Sequence, residues 1–243
     1  MTLFITSSPT GCPYEPGPQP GRLDENNGFV ERLRAVWPAT PPKGLMIASD
    51  PHSYERTDEA CDFFAGCFAR AGLPLDGMTA CDARNADEIA ALLAHSGFVM
   101  LAGGHVPTQN RFFKQLNLAR RMQGYDGIVM GVSAGSMNCA RTVYAQPEEA
   151  GEAVDPKFER WLPGLGLTET CILPHYQFIR GVQVDGQTCE ALALADSHTR
   201  PIYALADGSY ILCANGRETL YGEAWRFALG SLSERQPPAK LVE

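Results

Sequence analysis

Short, nearly uncharged apolar runs alternate with longer amphipathic stretches over the first 132 residues of the chain. The runs are Leu3 to Thr6, Gly44 to Ser49, Gly77 to Cys81, Phe98 to Ala102 and Gly127 to Val132. They are continuous rather than alternating, as strands buried on both faces are. Between them, Asp24 to Val36 carries Phe29, Leu33 and Val36 at helical spacing, and Thr108 to Met122 does the same with Phe112, Leu116 and Ala119. Two further helices are predicted across Thr57 to Ala71 and Ala86 to His95. This β-α-β-α order predicts a three-layer α/β/α, doubly wound, mostly parallel sheet. Right-handed crossovers then bring the strand C-termini to one edge, where such sheets bind ligands.

The last third is more broken. Strands are predicted at Thr170 to Leu173, Ile202 to Leu205, Tyr210 to Cys213 and Glu218 to Tyr221. Asp207-Gly208 and Asn215-Gly216 read as hairpin turns between them. The polar tail from Ser231 is expected to fray. Pro9 to Gly21 contains five prolines and reads as a loop, either a plain connection or a rim over a site. No linker interrupts residues 44 to 230, so a single domain over 1–243 is expected.

Composition narrows the function classes. The 243 residues carry 20 Lys+Arg against 28 Asp+Glu, a net charge of −8, which makes nucleic acid and anionic membrane poor partners. No window approaches the ~18 apolar residues of a membrane span, and the start lacks the basic segment of a signal peptide. The eight cysteines include no C-x-x-C pair, so they read as buried thiols of a protein in the reducing cytoplasm, a monomer or homodimer. No metal or other cofactor is expected: His105 and His175 lack ligand-spaced partners, and no phosphate-binding G-x-x-x-x-G-K-[ST] is present.

Candidate chemistry sits where two apolar runs end. Gly131-Val132-Ser133-Ala134-Gly135 is G-x-S-x-G directly after a predicted strand. That pattern places a serine on a tight strand-to-helix turn, with glycines where a Cβ would collide with backbone, and aims the Ala134 N–H at a developing oxyanion. Phe98 to Ala102 closes in Gly103-Gly104-His105, where backbone can approach a substrate and the Gly104 N–H can serve as second donor. Of the five histidines, His175 is the best base for Ser133, because it too follows an apolar strand. Between Ser133 and His175 lie Glu148, Glu149, Glu152, Asp155, Glu159 and Glu169, and spacing alone does not choose an orienting acid among them.

Together these residues resemble the dipeptidase E and cyanophycinase family of serine peptidases, whose fold is similar to class I glutamine amidotransferases (flavodoxin-like). The resemblance spans the glycine pair, the G-x-S-A-G elbow, Val154-Asp155-Pro156, Pro174-His175-Tyr176 and Leu205 to Tyr210. Only 42 positions separate Ser133 from His175, far fewer than α/β-hydrolases place between nucleophile and histidine. The resemblance implies Ser133 as nucleophile, His175 as base and Glu148 as acid, with Glu152 as the runner-up. It also implies a small peptide or amide substrate, bound by Gly103, His105, Tyr176 and Gln177. Cys189 falls where dipeptidase E carries the arginine that holds an N-terminal aspartate, with Arg180 the nearest other cation, so the aspartyl preference does not carry over with the resemblance. The alternatives are an esterase or amidase on a non-peptide substrate, and a non-catalytic binding module with the same cleft.

Overall fold

The computed structural model describes residues 1–12, 21–235 and 239–240. Most of the proline-rich segment, residues 13–20, lies outside them. Five parallel strands form the centre of the fold: β1 (Thr2–Thr6), β2 (Gly44–Ile47), β3 (Met78–Cys81), β4 (Phe98–Leu101) and β5 (Ile128–Val132), in spatial order β3-β2-β4-β5-β1. Successive side chains alternate between two separate cores. Leu3, Ile5, Leu45, Ile47, Val99, Leu101 and Val129 face one, while Phe4, Met46, Phe98, Met100, Met130 and Val132 face the other.

Helices close both faces, as the continuous apolar runs require. α1 (Phe29–Val36) and α2 (Tyr54–Arg70) pack Leu33, Phe64 and Phe68 on the second core. α3 (Ile89–His95), α4 (Val106–Gln115), α5 (Leu118–Arg121) and α6 (Ala134–Asn138) pack Ile89, Phe112, Leu118 and Met137 on the first. Each such side chain removed from water contributes roughly 1.5–3 kcal/mol, which makes this double-sided burial the main stabilisation of the frame. The helix predicted over Thr108 to Met122 is two helices. Asn117 adopts the left-handed conformation (φ 49°) and breaks it, and Leu118 rather than Ala119 enters the core.

The remaining elements assemble around this frame. β6 (Thr142–Tyr144) pairs with β7 (Trp161–Pro163). β8 (Ile172–Leu173) is shorter than predicted and is followed by α7 (Tyr176–Ile179), the small hairpin of β9 (Gln183–Val184) with β10 (Gln187–Thr188), and α8 (Cys189–Asp196). β11 (Ile202–Leu205) precedes β12 (Tyr210–Ala214), β13 (Arg217–Tyr221), β14 (Ala224–Ala228), β15 (Ser231–Arg235) and β16 (Ala239–Lys240). β12, β13 and β16 extend the central sheet antiparallel from β1, making eight strands, while β15-β14-β11-β8 form a second sheet of four. Of the tail expected to fray, residues 231–235 form β15, paired with β14 from Ala228↔Ser231 to Ala224↔Arg235, while residues 236–238 and 241–243 lie outside the described residues.

Only one of the two predicted hairpin turns is a hairpin. Asn215 (φ 53°) and Gly216 (φ 71°) join β12 to β13 with Ala214 opposite Arg217, a two-residue turn with both φ positive. Asp207-Gly208 instead carries the chain from β11 in the small sheet to β12 in the large one. No helix among the described residues is long and apolar enough to cross a membrane.

Candidate active site

The carboxyl ends of β1, β2, β4 and β5 meet at one edge of the large sheet and bring Ser7, Ser49, Gly104 and Ser133 there. Ser133 leaves β5 with φ 50° and ψ −114°, a conformation that costs a non-glycine residue about 1–3 kcal/mol and persists only where neighbours enforce it. They do so through hydrogen bonds. Ser133 N–H donates to Thr6 O at 3.1 Å and Met137 N–H to Ser133 O at 3.0 Å. Ser136 Oγ accepts from Thr6 N–H at 2.9 Å and donates to Thr6 O at 2.8 Å, stitching α6 to the end of β1. Both elbow glycines are close approaches. A Cβ on Gly135 would sit 2.2 Å from the Leu101 carbonyl oxygen, and one on Gly131 2.6 Å from Ser136 Cα.

His175 follows β8, as expected, in the left-handed conformation (φ 57°). Its Nδ1 lies 2.7 Å from Oδ1 of Asp207, with side-chain exposures of 21% for the histidine and 0% for the aspartate. The Asp207 N–H donates to Gln177 Oε1 at 3.1 Å, and Ser7 Oγ donates to Asp207 Oδ1 at 2.7 Å. Asp207 was not among the expected acids. The expectation that Glu148 orients the imidazole does not hold geometrically: its N–H donates to Glu152 Oε2 at 2.8 Å, and His175 Nδ1 meets Asp207 instead. Glu152 is engaged elsewhere too, its Oε1 3.0 Å from His105 Nε2. Glu169 pairs with Arg141 at 2.6 Å, and among the described residues none of the six acids preceding His175 is hydrogen-bonded to it.

A cavity of ≈ 360 Å³ opens over this edge and is lined by Ser133, His175, Gly103, Gly104 and His105 together with Arg56 and other residues. Gly103 passes beside the serine, where an added Cβ would lie 3.3 Å from Ser133 Cβ. Ala134 is the first residue of α6, so its N–H has no intrahelical acceptor. The Gly104 N–H has no hydrogen-bond partner among the described residues. Two of the four expected substrate contacts are placed otherwise. Tyr176 is buried under the small sheet against Trp225 and Phe227 and donates its hydroxyl to Glu190. Gln177 holds the Asp207 backbone rather than lining the cavity. Cys189 is buried at the start of α8, also off the cavity wall.

Charged groups of both signs face the cavity. Arg56, exposed on α2, is the lysine or arginine among the described lining residues, and its side chain has no hydrogen bond or ion pair among the described residues. Asp50 and Glu149 line it as well, and the His52 backbone N–H, with help from Ser53, holds the Asp50 carboxyl below its usual range. His105, Glu149 and Glu152 bring one potential metal-ligand atom each within 4.8 Å of one another, a grouping the linear spacing hides. Glu152 already accepts the Glu148 and Glu149 amides and reaches His105, so the group reads as a clamp holding the 147–152 segment at the cavity rim.

The sequence pattern of Peptidase family S51 matches residues 49–221, the stretch carrying the elbow, the glycine pair, His175 and Asp207. The chain belongs to peptidase family S51. It is therefore a serine peptidase, a hydrolase. Two solved structures resemble this S51 peptidase in fold. A peptidase from an acI-B1 Actinobacterium superposes with a TM-score of 0.66 at 15% identity, covering 99% of this chain and 96% of that one. A putative peptidase E protein from Listeria monocytogenes EGD-e gives 0.61 at 15% identity, over 90% of this chain and 96% of its own. No curated protein matches the S51 peptidase in sequence.

Proposed function

We propose that this S51 peptidase cleaves an amide bond in short peptides with Ser133 as nucleophile, His175 as general base and Asp207 as the acid that orients it. The observation that carries the reading is the 2.7 Å contact between His175 Nδ1 and a fully buried Asp207 carboxylate, at a cavity that Ser133 also lines. With Nδ1–H committed to Asp207, the imidazole presents Nε2 as the basic atom. His175 takes the Ser133 proton as Oγ attacks the carbonyl carbon, and the tetrahedral oxyanion falls to the Gly104 and Ala134 N–H groups. Protonated His175 then delivers its proton to the leaving amine, and a water activated by the same imidazole hydrolyses the acyl-enzyme. Asp207 holds the imidazolium through the Nδ1–H hydrogen bond and stabilises it without itself taking the proton from Ser133.

A short peptide suits the cavity better than an uncharged ester. Its volume of ≈ 360 Å³ lies at the small end of ligand sites. Arg56 stands ready for a substrate carboxylate, and Asp50 or Glu149 for an α-ammonium, so both ends of a zwitterion find a partner. Selectivity for an N-terminal aspartate is not part of the reading, since the cation comes from α2 and not from the segment after His175. The eight free thiols favour the reducing cytoplasm as the site of action.

A panel of free dipeptides and p-nitrophenyl esters, assayed with the wild type and Ser133→Ala, tests the proposal. Peptide cleavage by the wild type and a loss of roughly 10³-fold or more in the variant are expected. Turnover of esters alone would make the protein an esterase, and equal rates in the variant would remove Ser133 from the chemistry.

A further inference from the structure

Ser7 is the residue after β1, fully buried, and it does not line the cavity. Its hydroxyl nevertheless joins two of the three groups proposed to carry out the reaction. Ser7 Oγ donates to Asp207 Oδ1 at 2.7 Å and accepts the His175 backbone N–H at 2.8 Å. The Leu205 carbonyl oxygen lies 3.4 Å from the same Oγ, but a hydroxyl has one proton, and the nearer, charged acceptor takes it. Ser7 N–H donates to Ser209 O at 3.2 Å, which fixes the serine to the turn that bears Asp207.

The Asp207 carboxylate makes this contact consequential. Its Oδ2 is buried with no hydrogen-bond partner among the described residues. Both side-chain donors therefore converge on Oδ1, one from Ser7 and one from His175. Without the Ser7 hydroxyl, only the imidazole would hold that carboxylate, which would be free to rotate about χ2 and exchange its oxygens. The His175 N–H would also lose its acceptor in a buried setting, where an unmade hydrogen bond is costly. The strand end that carries Ser7 is also the one whose Thr6 carbonyl accepts the Ser133 N–H. One strand end thus holds the nucleophile by its backbone, the base by its backbone and the acid by its side chain.

We infer that Ser7 is a positioning residue of the hydrolytic reaction, which fixes the Asp207 carboxylate and the His175 backbone without touching substrate. The inference rests on the triad proposed above. The test compares Ser7→Ala with Ser7→Thr, which keeps the hydroxyl, for kcat and KM on one peptide and for thermal unfolding. Ser7→Ala should lose on the order of 10–100-fold in kcat with KM nearly unchanged, as small misplacements of catalytic groups do. Ser7→Thr should recover most of that loss. Wild-type kcat in Ser7→Ala, or equal losses in two variants that both unfold like the wild type, would overturn the inference. Should either variant fail to fold, Ser7→Cys, nearest in shape and a weaker donor, takes its place: an intermediate kcat supports the inference and a wild-type kcat overturns it. Turnover that survives Ser133→Ala in an otherwise unchanged enzyme would instead overturn the triad itself, a distinct result.

Discussion

His175 Nδ1 and Asp207 Oδ1 are 2.7 Å apart although 32 positions separate them and the chain changes sheets just after the aspartate. β8 delivers the histidine at its C-terminal end and β11, its parallel neighbour, delivers the aspartate at its own, with Tyr203 opposite Ile172 and Ala204 opposite Leu173. The pairing is therefore a product of sheet register, and the order of groups along the chain is serine, histidine, acid.

Replacing Asp207 with Asn should leave the geometry but offer His175 an uncharged partner. A loss of roughly 10³–10⁴-fold in kcat is expected, the cost seen when a triad imidazole is held in the wrong tautomer. Glu148→Gln should stay within a few-fold of wild type. Steady-state rates on one peptide check both, and the reverse pattern would return the role to Glu148.

Glu148 has a separate signature in stability. Burial of its carboxyl end, followed by repulsion from Glu152 and Glu149, pushes its acid up from 4.5 to about 7. An acid raised in the folded state favours folding while protonated, so this contribution is present below pH 4.5 and is lost as pH rises to about 7. Glu148→Gln should therefore unfold at nearly the wild-type temperature at pH 4 and at a higher one at pH 8. Scanning calorimetry at the two pH values measures the difference, and an equal shift at both would contradict the assignment.

Arg56 is expected to bind substrate rather than act on it. Because the residue is exposed, Arg56→Gln should raise KM by only about three- to ten-fold for peptides with free carboxylates, with kcat little changed. Peptides amidated at the C-terminus and lacking acidic side chains should be nearly indifferent. Kinetics on matched free and amidated peptides decide it, and an equal effect on both would place Arg56 outside recognition.

The frame of the fold is legible because burial on both faces leaves a signal that needs no partner information: five apolar runs, each too short for a buried helix. Ser133 and the Gly103-Gly104 pair are legible for a related reason, since tight turns and close backbone approaches select residue types locally. Asp207 was hidden by the same logic. Followed by Gly208, it carries the local chemistry of a hairpin turn, and only the assignment of β11 and β12 to different sheets reveals another role. Asp207 also lies after His175 in the chain, outside the stretch between serine and histidine that supplied the expected acids, although Leu205 to Tyr210 belongs to the family resemblance. Tyr176 and Gln177 adjoin the histidine in sequence, but a left-handed residue at 175 followed by one helical turn sends the tyrosine into the small core. β15 escaped because its pairing with β14 stabilises a polar segment that has no apolar signature of its own.

The central claim is that Ser133 is a nucleophile activated by the His175–Asp207 pair, and covalent labelling reads it most directly. The protein is treated with a fluorophosphonate, digested and mapped by mass spectrometry, alongside Ser133→Ala, His175→Ala and Asp207→Asn. The adduct should sit on the peptide containing Ser133, vanish in Ser133→Ala, and form far more slowly in the other two. An adduct on a different residue, or one forming at the wild-type rate without His175, would contradict the account.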